Sequence, residues 1–187
     1  VGKILGKTMN VFVLCTGRCG SLTFSKACNH IKNYTSSHES NLYLFGNKRL
    51  IYPENHIEID NRLSWFLGEL DKIYGDNAYY VHLIRDTVDV AKSYLKRWDG
   101  GIMRAYRDGI ILEIEKNGDY NKLELAISMC NTINNNIELF LKDKTKKMKI
   151  DLKESKSKFI DFCSDIKAEI NITNAISEFD IKYNSSK

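Results

Sequence analysis

Proline is nearly absent from this chain of 187 residues; Pro53 is the single one. Long apolar runs are missing too. The run Val11 to Cys15 ends at a polar turn, far short of the ~20 residues a membrane-spanning helix needs, so no span is expected. Charge of one sign is in small excess, 28 Lys and Arg against 24 Asp and Glu, and a net charge of +4 does not call for nucleic acid as a partner. The opening VGKILGKTMN lacks the basic start, long apolar middle and small-residue cleavage site of a secretory signal, which leads to the expectation of a cytoplasmic protein. Cysteine comes to five residues, an odd number with no paired framework, which argues against a secreted disulfide scaffold. Cys15, Cys19, Cys28 and His30 lie close together and invite a metal reading. No C-x-x-C occurs, however, and no second ligand pair follows, so no metal is expected.

What is present is ordinary for a soluble globular protein: 43% hydrophobic and 28% charged residues, in a chain long enough to bury a sizeable core. The abundance of Asn, Lys and Ile reads as base-composition bias rather than disorder, because apolar periodicity persists almost to the C-terminus. There is no internal repeat and no linker, so one domain over residues 1–187 is expected. The lysine-dense stretch from Lys142 to Lys158 reads as a solvated helix end and strand edge rather than a docking patch for an acidic partner.

Along the chain, Val11 to Cys15 predicts a strand buried on both faces. The turn Thr16-Gly17-Arg18-Cys19-Gly20 follows, and Phe24, Ala27, Cys28 and Ile31 then fall at helical spacing from Ser21 onward. HIEID predicts a short strand, and Leu63, Phe66, Leu67, Leu70 and Tyr74 an amphipathic helix stopped at Gly75. AYYVHLIRD predicts a second strong strand, with Asp86 capping the next helix and Gly100-Gly101 breaking it. Helices are expected around Met103 to Lys116, Lys122 to Lys142 and Ser155 to Ile166, and a strand over Lys147 to Leu152. Trp65 and Trp98 fit helix faces and read as core. This alternation predicts an α/β fold, a central parallel sheet flanked by helices.

The turn between the first strand and helix carries chemistry. A strand that ends in a glycine-containing turn at a helix start aims backbone N–H groups and the helix dipole at one point. Gly17 and Gly20 let the backbone bend, Ser21 and Thr23 add hydroxyls, and Arg18 adds a permanent cation with a planar fork. The result suits a tetrahedral anion. Ser21 stands where a nucleotide triphosphatase needs lysine after its last glycine, which disfavours an ATPase or kinase of the usual P-loop type. A second junction repeats the theme in YVHLIRDTVDVAKSYLKRW. Arg85 ends a strand, and Ser93, eight residues on, stands two turns into the following helix, where guanidinium and hydroxyl can grip another phosphate at the same sheet edge.

Together these two segments resemble the sulfotransferases that use 3′-phosphoadenosine 5′-phosphosulfate (PAPS) and release 3′-phosphoadenosine 5′-phosphate (PAP). TGRCGSLT looks like their 5′-phosphosulfate loop, and Arg85 with Ser93 looks like their 3′-phosphate motif. The resemblance implies a single P-loop-type domain and an in-line transfer of the sulfuryl group without a metal. It puts Arg18 in the place of the catalytic cation, and Cys19, Gly20, Ser21, Leu22 and Thr23 in the places of the backbone and hydroxyl donors. Leu22 replaces a common second hydroxyl, Thr87 replaces a common proline, and the glycine- and lysine-rich C-terminal motif of the animal cytosolic branch is missing, so the compact bacterial type is the nearer match. In that type an acidic residue near YTSSHES serves as base, which implies Glu39 first and His38 second. Arg62 could contact donor or acceptor, or pair with Asp60 or Glu58; Lys92 or Arg97 could touch the 3′-phosphate; Lys182 and Asn184 could return to the donor. The acceptor, a small-molecule or carbohydrate hydroxyl or amine, is not legible, and an oligomer is open. An atypical P-loop kinase and an inactive nucleotide-binding module of the same fold are the competing readings.

Overall fold

The computed structural model describes residues 8–112, 120–181 and 183. Val11, Phe12, Val13 and Leu14 have no polar side to turn to water, and they form the fully buried central strand β1 (Val11–Leu14). Strands β3 (His56–Ile59) and β4 (Tyr79–Ile84) pair with it on either side. Strand β2 (Thr35–His38) adds outside β3, and β5 (Lys147–Asp151) outside β4. Every pairing is parallel, in the order β2-β3-β1-β4-β5.

Alternate residues of each strand feed two cores. Val11 and Val13 join Ile57, Ile59 and Val81 against Phe24 of α1 (Ser21–Cys28) and Phe159 and Phe162 of α6 (Ser155–Asp165). Phe24 and Phe159 meet edge to face, with ring centroids 5.4 Å apart. Phe12, Leu14 and Tyr80 face the other way, against Leu70 of α2 (Leu67–Tyr74), Ala91 and Tyr94 of α3 (Thr87–Leu95), and Met129 and Ile133 of α5 (Lys122–Leu141). Each fully buried Phe or Leu contributes roughly 1.5–3 kcal/mol relative to exposure. Between α3 and α5, helix α4 (Gly101–Ala105) runs on into one π turn over Tyr106–Ile110. Helix α7 (Ile172–Ser177) is capped by Asn171 and packs on α1. Among the described residues no helix is long and apolar enough to cross a membrane.

The α/β class and the parallel sheet are as expected, and the differences are local. YTSSHES, for which the sequence predicts no strand, contains the edge strand β2; Thr35-Ser36-Ser37-His38 shows no apolar alternation, and it pairs with β3 alone. The helix expected from Leu63 begins only at Leu67. Asp60 takes the Arg62 amide onto its own carboxylate and turns Asn61–Trp65 into a 3-10 turn first. Trp65 on that turn is 41% exposed rather than in the core, whereas Trp98 is buried. Residues 113–116 of the helix expected over Met103 to Lys116 lie outside the described residues, as do Lys182 and Asn184.

The chain leaves β1 toward β2 and β3 on one side, then returns to β4 and β5 on the other. At such a reversal the connections part above the strand ends and leave a crevice. Both glycine- and arginine-bearing junctions open into it.

Candidate active site

One cavity of about 1080 Å³ spans the carboxyl edge of the sheet. That is at the upper end of the ~300–1,000 Å³ typical of small-molecule sites, enough for two reactants side by side. Its floor is the loop after β1. Gly17 and Gly20 have left-handed backbones (φ 80° and 88°), and so does Arg18, which is not a glycine (φ 58°). Three such residues within four positions fold the loop back over the start of α1. Gly20 caps α1 with no side-chain hydrogen bond, and the first turn holds no acidic residue. The leading N–H groups of the helix, which have no intrahelical acceptor, are thus left facing the cavity.

The loop is braced from below. Tyr94 Oη donates to Thr16 O at 2.5 Å, and Ser64 Oγ to Cys15 O at 3.1 Å. The Cys19 side chain is buried and stands outside the lining, so only its backbone can serve a ligand. Its thiol is lowered by a hydrogen bond from Cys15 and by the amides of Cys19, Gly17 and Ser21, against the opposing effect of burial. The Cys15 thiol is correspondingly raised by its hydrogen bond to Cys19 and by burial.

Above the floor stand the cations. Arg18 Nε donates to Ser93 Oγ at 3.0 Å, and Arg85 Nη1 to the Arg18 carbonyl at 3.4 Å. Arg85 also pairs with Asp89 on its own helix at 3.3 Å. Burial lowers the basicity of Arg18 and the neighbouring charge of Arg97 lowers it again; Tyr94 works the other way, and Arg85 adds a smaller lowering. An arginine stays charged under such strain, so the crowding is a standing preference for an anion between these side chains.

At the β2 and β3 end the lining changes character. His38 Nε2 lies 3.2 Å from Ser21 Oγ, which ties the last residue of β2 to the loop hydroxyl. Glu39 Oε1 pairs with Arg62 Nη1 at 3.1 Å, both side chains about 30% exposed. The Arg62 guanidinium is therefore paired with Glu39 and not with Asp60 or Glu58; the Asp60 carboxylate is engaged by buried Arg49 and by the Arg62 amide, and Glu58 by His56. At the β5 end the wall is apolar: Leu152, Phe179, Ile181 and Tyr183.

The structure thus brings Arg18, Gly20, Ser21, Leu22, Thr23, His38, Glu39, Arg85 and Ser93 to one cavity, together with Arg62, Lys92 and Arg97. Sequence reasoning missed Asn61, Lys96 and the whole apolar wall. Of these, Asn61, Lys96 and Tyr183 lay beside positions already under consideration, next to Arg62, Arg97 and the pair Lys182 and Asn184. Leu152 and Phe179 carry no local signal, since they meet the loop only through the packing of β5 and α6 on the sheet.

The same architecture has been seen in a solved protein. A sulfotransferase domain from the curacin biosynthetic pathway superposes with a TM-score of 0.63, over 92% of this chain and 78% of that one, at 13% identity. The fold is sulfotransferase-like. A mouse sulfotransferase, SULT7A1, solved in complex with PAP, is a more distant match: TM-score 0.45 over 95% of this chain and 61% of that one, at 14% identity. No family model and no curated protein sequence matches the chain. A sulfotransferase-like fold with this cavity at its edge supplies a frame for anion chemistry, and the residues decide which.

Proposed function

We propose that the chain is a sulfotransferase that moves the sulfuryl group of PAPS to a hydroxyl or amine of an acceptor. One observation carries this reading: Arg18, Ser93 and Arg85 are joined by contacts of 3.0 and 3.4 Å within one cavity, although 67 and 75 positions separate Arg18 from the other two. A nucleotide bearing anions at both ends of its ribose fits such a group better than one bearing a single polyphosphate tail.

The cavity's polarity orients the donor. Its adenine end belongs against the apolar wall of Leu152, Phe179 and Tyr183, and its sulfuryl end toward Glu39 and His38. The amides at the start of α1 and the Ser21 hydroxyl would hold the 5′ oxygens, while Arg85 and Ser93 hold the 3′-phosphate. Asp89 is a half-exposed partner for Arg85 and is readily outcompeted by a phosphate. Arg18 would exchange Ser93 for the oxygen that bridges sulfur and phosphorus, and neutralise charge there as that bond breaks. Glu39 would accept the proton of the acceptor as its oxygen or nitrogen bonds to sulfur. His38, held on Ser21, is placed to steady the loop hydroxyl. Leu22 brings no hydroxyl to the cavity, so the amides at the start of α1 carry the more weight.

The test is sulfuryl transfer from labelled PAPS to a panel of hydroxyl and amine acceptors. Arg18→Ala should lower turnover about 100- to 1,000-fold, in the range of losing one preorganised transition-state cation or donor. Arg85→Ala should mainly raise the KM for the donor. Donor binding with no product from any acceptor would point to the inactive module. Magnesium-dependent turnover of ATP would point to the kinase.

A further inference from the structure

Strand β3 is an inner strand, yet one of its faces is polar. Ile57 and Ile59 point into one core; His56, Glu58 and Asp60, at and just beyond its end, are all buried on the opposite side. Two carboxylates without access to water are costly unless each is fully bonded. Both are, and among their partners are Ser40, the neighbour of Glu39 in the chain, and the backbone amide of Arg62.

Glu58 holds Ser40 with both oxygens: the Ser40 amide donates to Oε1 at 2.8 Å and the Ser40 hydroxyl to Oε2 at 2.6 Å. His56 Nε2 lies 3.0 Å from the same Oε2, and His56 Nδ1 lies 2.7 Å from Thr35 Oγ1. His56 thus bridges the Thr35 hydroxyl and the Glu58 carboxylate through its two ring nitrogens. The residue just before Ser40 is Glu39. Its backbone is left-handed (φ 55°), a conformation a non-glycine keeps only when its surroundings impose it. The Glu39 amide is fixed as well, donating to Ile59 O at 3.0 Å. Just past the end of β3, Asp60 accepts the Arg62 amide at 2.8 Å while its other oxygen engages Arg49.

We infer that Glu58 and Asp60 are positioning residues, a pair of buried carboxylates that clamp the two halves of the Glu39–Arg62 ion pair from beneath. This inference rests on the proposed role of Glu39 for its functional meaning, and on the contacts alone for its geometry. Glu58 acts through Ser40 and Asp60 through the Arg62 amide, so neither touches a substrate. The clamp sets the direction of the Glu39 carboxylate before an acceptor arrives, and spacing along one strand fixes the distance between its two arms.

The experiment has one readout that depends on turnover and one that does not. The first is the guanidinium NMR signal of Arg62, assigned by its loss in Arg62→Lys and given its unpaired position by Glu39→Gln. Ser40→Ala and Glu58→Gln should each move that signal toward the unpaired position, and Ser40→Thr should restore it. The second is steady-state sulfuryl transfer. The same two variants should lower kcat roughly 10- to 100-fold with the donor KM unchanged, and Ser40→Thr should recover kcat. An Arg62 signal that stays put in Ser40→Ala and in Glu58→Gln overturns the clamp, whatever happens to thermal stability. If Glu58→Gln does not fold, Ser40→Ala decides alone. If the wild-type protein transfers no sulfuryl group, the proposed function fails, while the Arg62 signal still settles the clamp.

Discussion

A methyl group added at Gly17 would stand 2.6 Å from Tyr94 Oη and 2.7 Å from Asn61 Nδ2, on a backbone with φ 80°. Tyr94 is held by its bond to Thr16 O, so it does not give way cheaply. Gly17→Ala should therefore cost at least the ~1–2 kcal/mol of a left-handed alanine and lower Tm by several degrees. It should also abolish binding of adenosine 3′,5′-bisphosphate in calorimetry. Gly68 is the control: in α2, with nothing within 4 Å of an added Cβ, Gly68→Ala should hold or raise stability by roughly 0.4–1 kcal/mol. The contrast marks what a sequence reveals at this scale. Arg18 and Arg85 were legible because each sits at a strand-to-helix junction, where chain direction alone decides which edge a side chain serves, and Ser93 because its spacing of eight from Arg85 sets it two turns into the helix that follows. Asn61 and Phe179 were not, because their neighbours at the cavity come from distant segments. The pairing of Arg62 with Glu39 instead of Asp60 or Glu58 was equally hidden. Both nearer carboxylates are committed to other partners, Asp60 to Arg49 and Glu58 to His56, and only the packed sheet makes that visible.

Among the elements, α1 is built against its own stability. It is eight residues long, begins without a side-chain cap, and has no acid in its first turn. A free helix gains ~0.3–1 kcal/mol from an acid there, and a Glu at the third position can also reach back to the cap amide. Thr23→Glu should accordingly raise Tm by one to a few degrees. The same carboxylate would occupy the place of the bound anion, so binding of adenosine 3′,5′-bisphosphate should fall by at least about tenfold, since a like charge costs well over 1 kcal/mol in a low-dielectric cleft. A gain in stability with unchanged binding would mean that the ligand lies elsewhere. Elements were otherwise legible in proportion to their apolar pattern. β1 and β4 read clearly because inner parallel strands are apolar on both faces. β2 was invisible because an edge strand of Thr, Ser and His has no pattern to read, and its existence depends on β3 offering it a partner. The start of α2 was misplaced for a similar reason, as a capping carboxylate at Asp60 overrode the helical spacing of Leu63 and Phe66.

For the molecule as a whole, charge is the organising quantity. Among the described residues the cavity is lined by Arg18, Arg62, Arg85, Lys92, Lys96 and Arg97, against only Glu39 and Asp89. The entire chain carries 28 Lys and Arg against 24 Asp and Glu, and the described cavity residues alone supply a local excess of positive charge at the sheet edge. A concave, one-signed surface of this kind focuses its field on the opening and draws in polyanions. Charge alone would accept any nucleotide polyphosphate; under the proposed function the spacing of Arg18, Ser93 and Arg85 is what would select. A ligand that binds only the folded chain stabilises it by about 2.7 kcal/mol at 100 times its Kd. For a domain of this size that corresponds to a rise in Tm of roughly 5–10 °C. Adenosine 3′,5′-bisphosphate should produce such a shift, and ATP at equal concentration and equal ionic strength a much smaller one. Raising the salt should shrink both, because exposed charge is screened over about 10 Å at 0.1 M. Arg85→Ala should reduce the bisphosphate shift to the size of the ATP shift, since the 3′-phosphate is the only group that distinguishes how the two ligands would use that arginine. Equal shifts from both nucleotides in the wild-type protein, at low salt and at high, would mean that the cavity reads charge without reading its position, and the assignment to PAPS would fall.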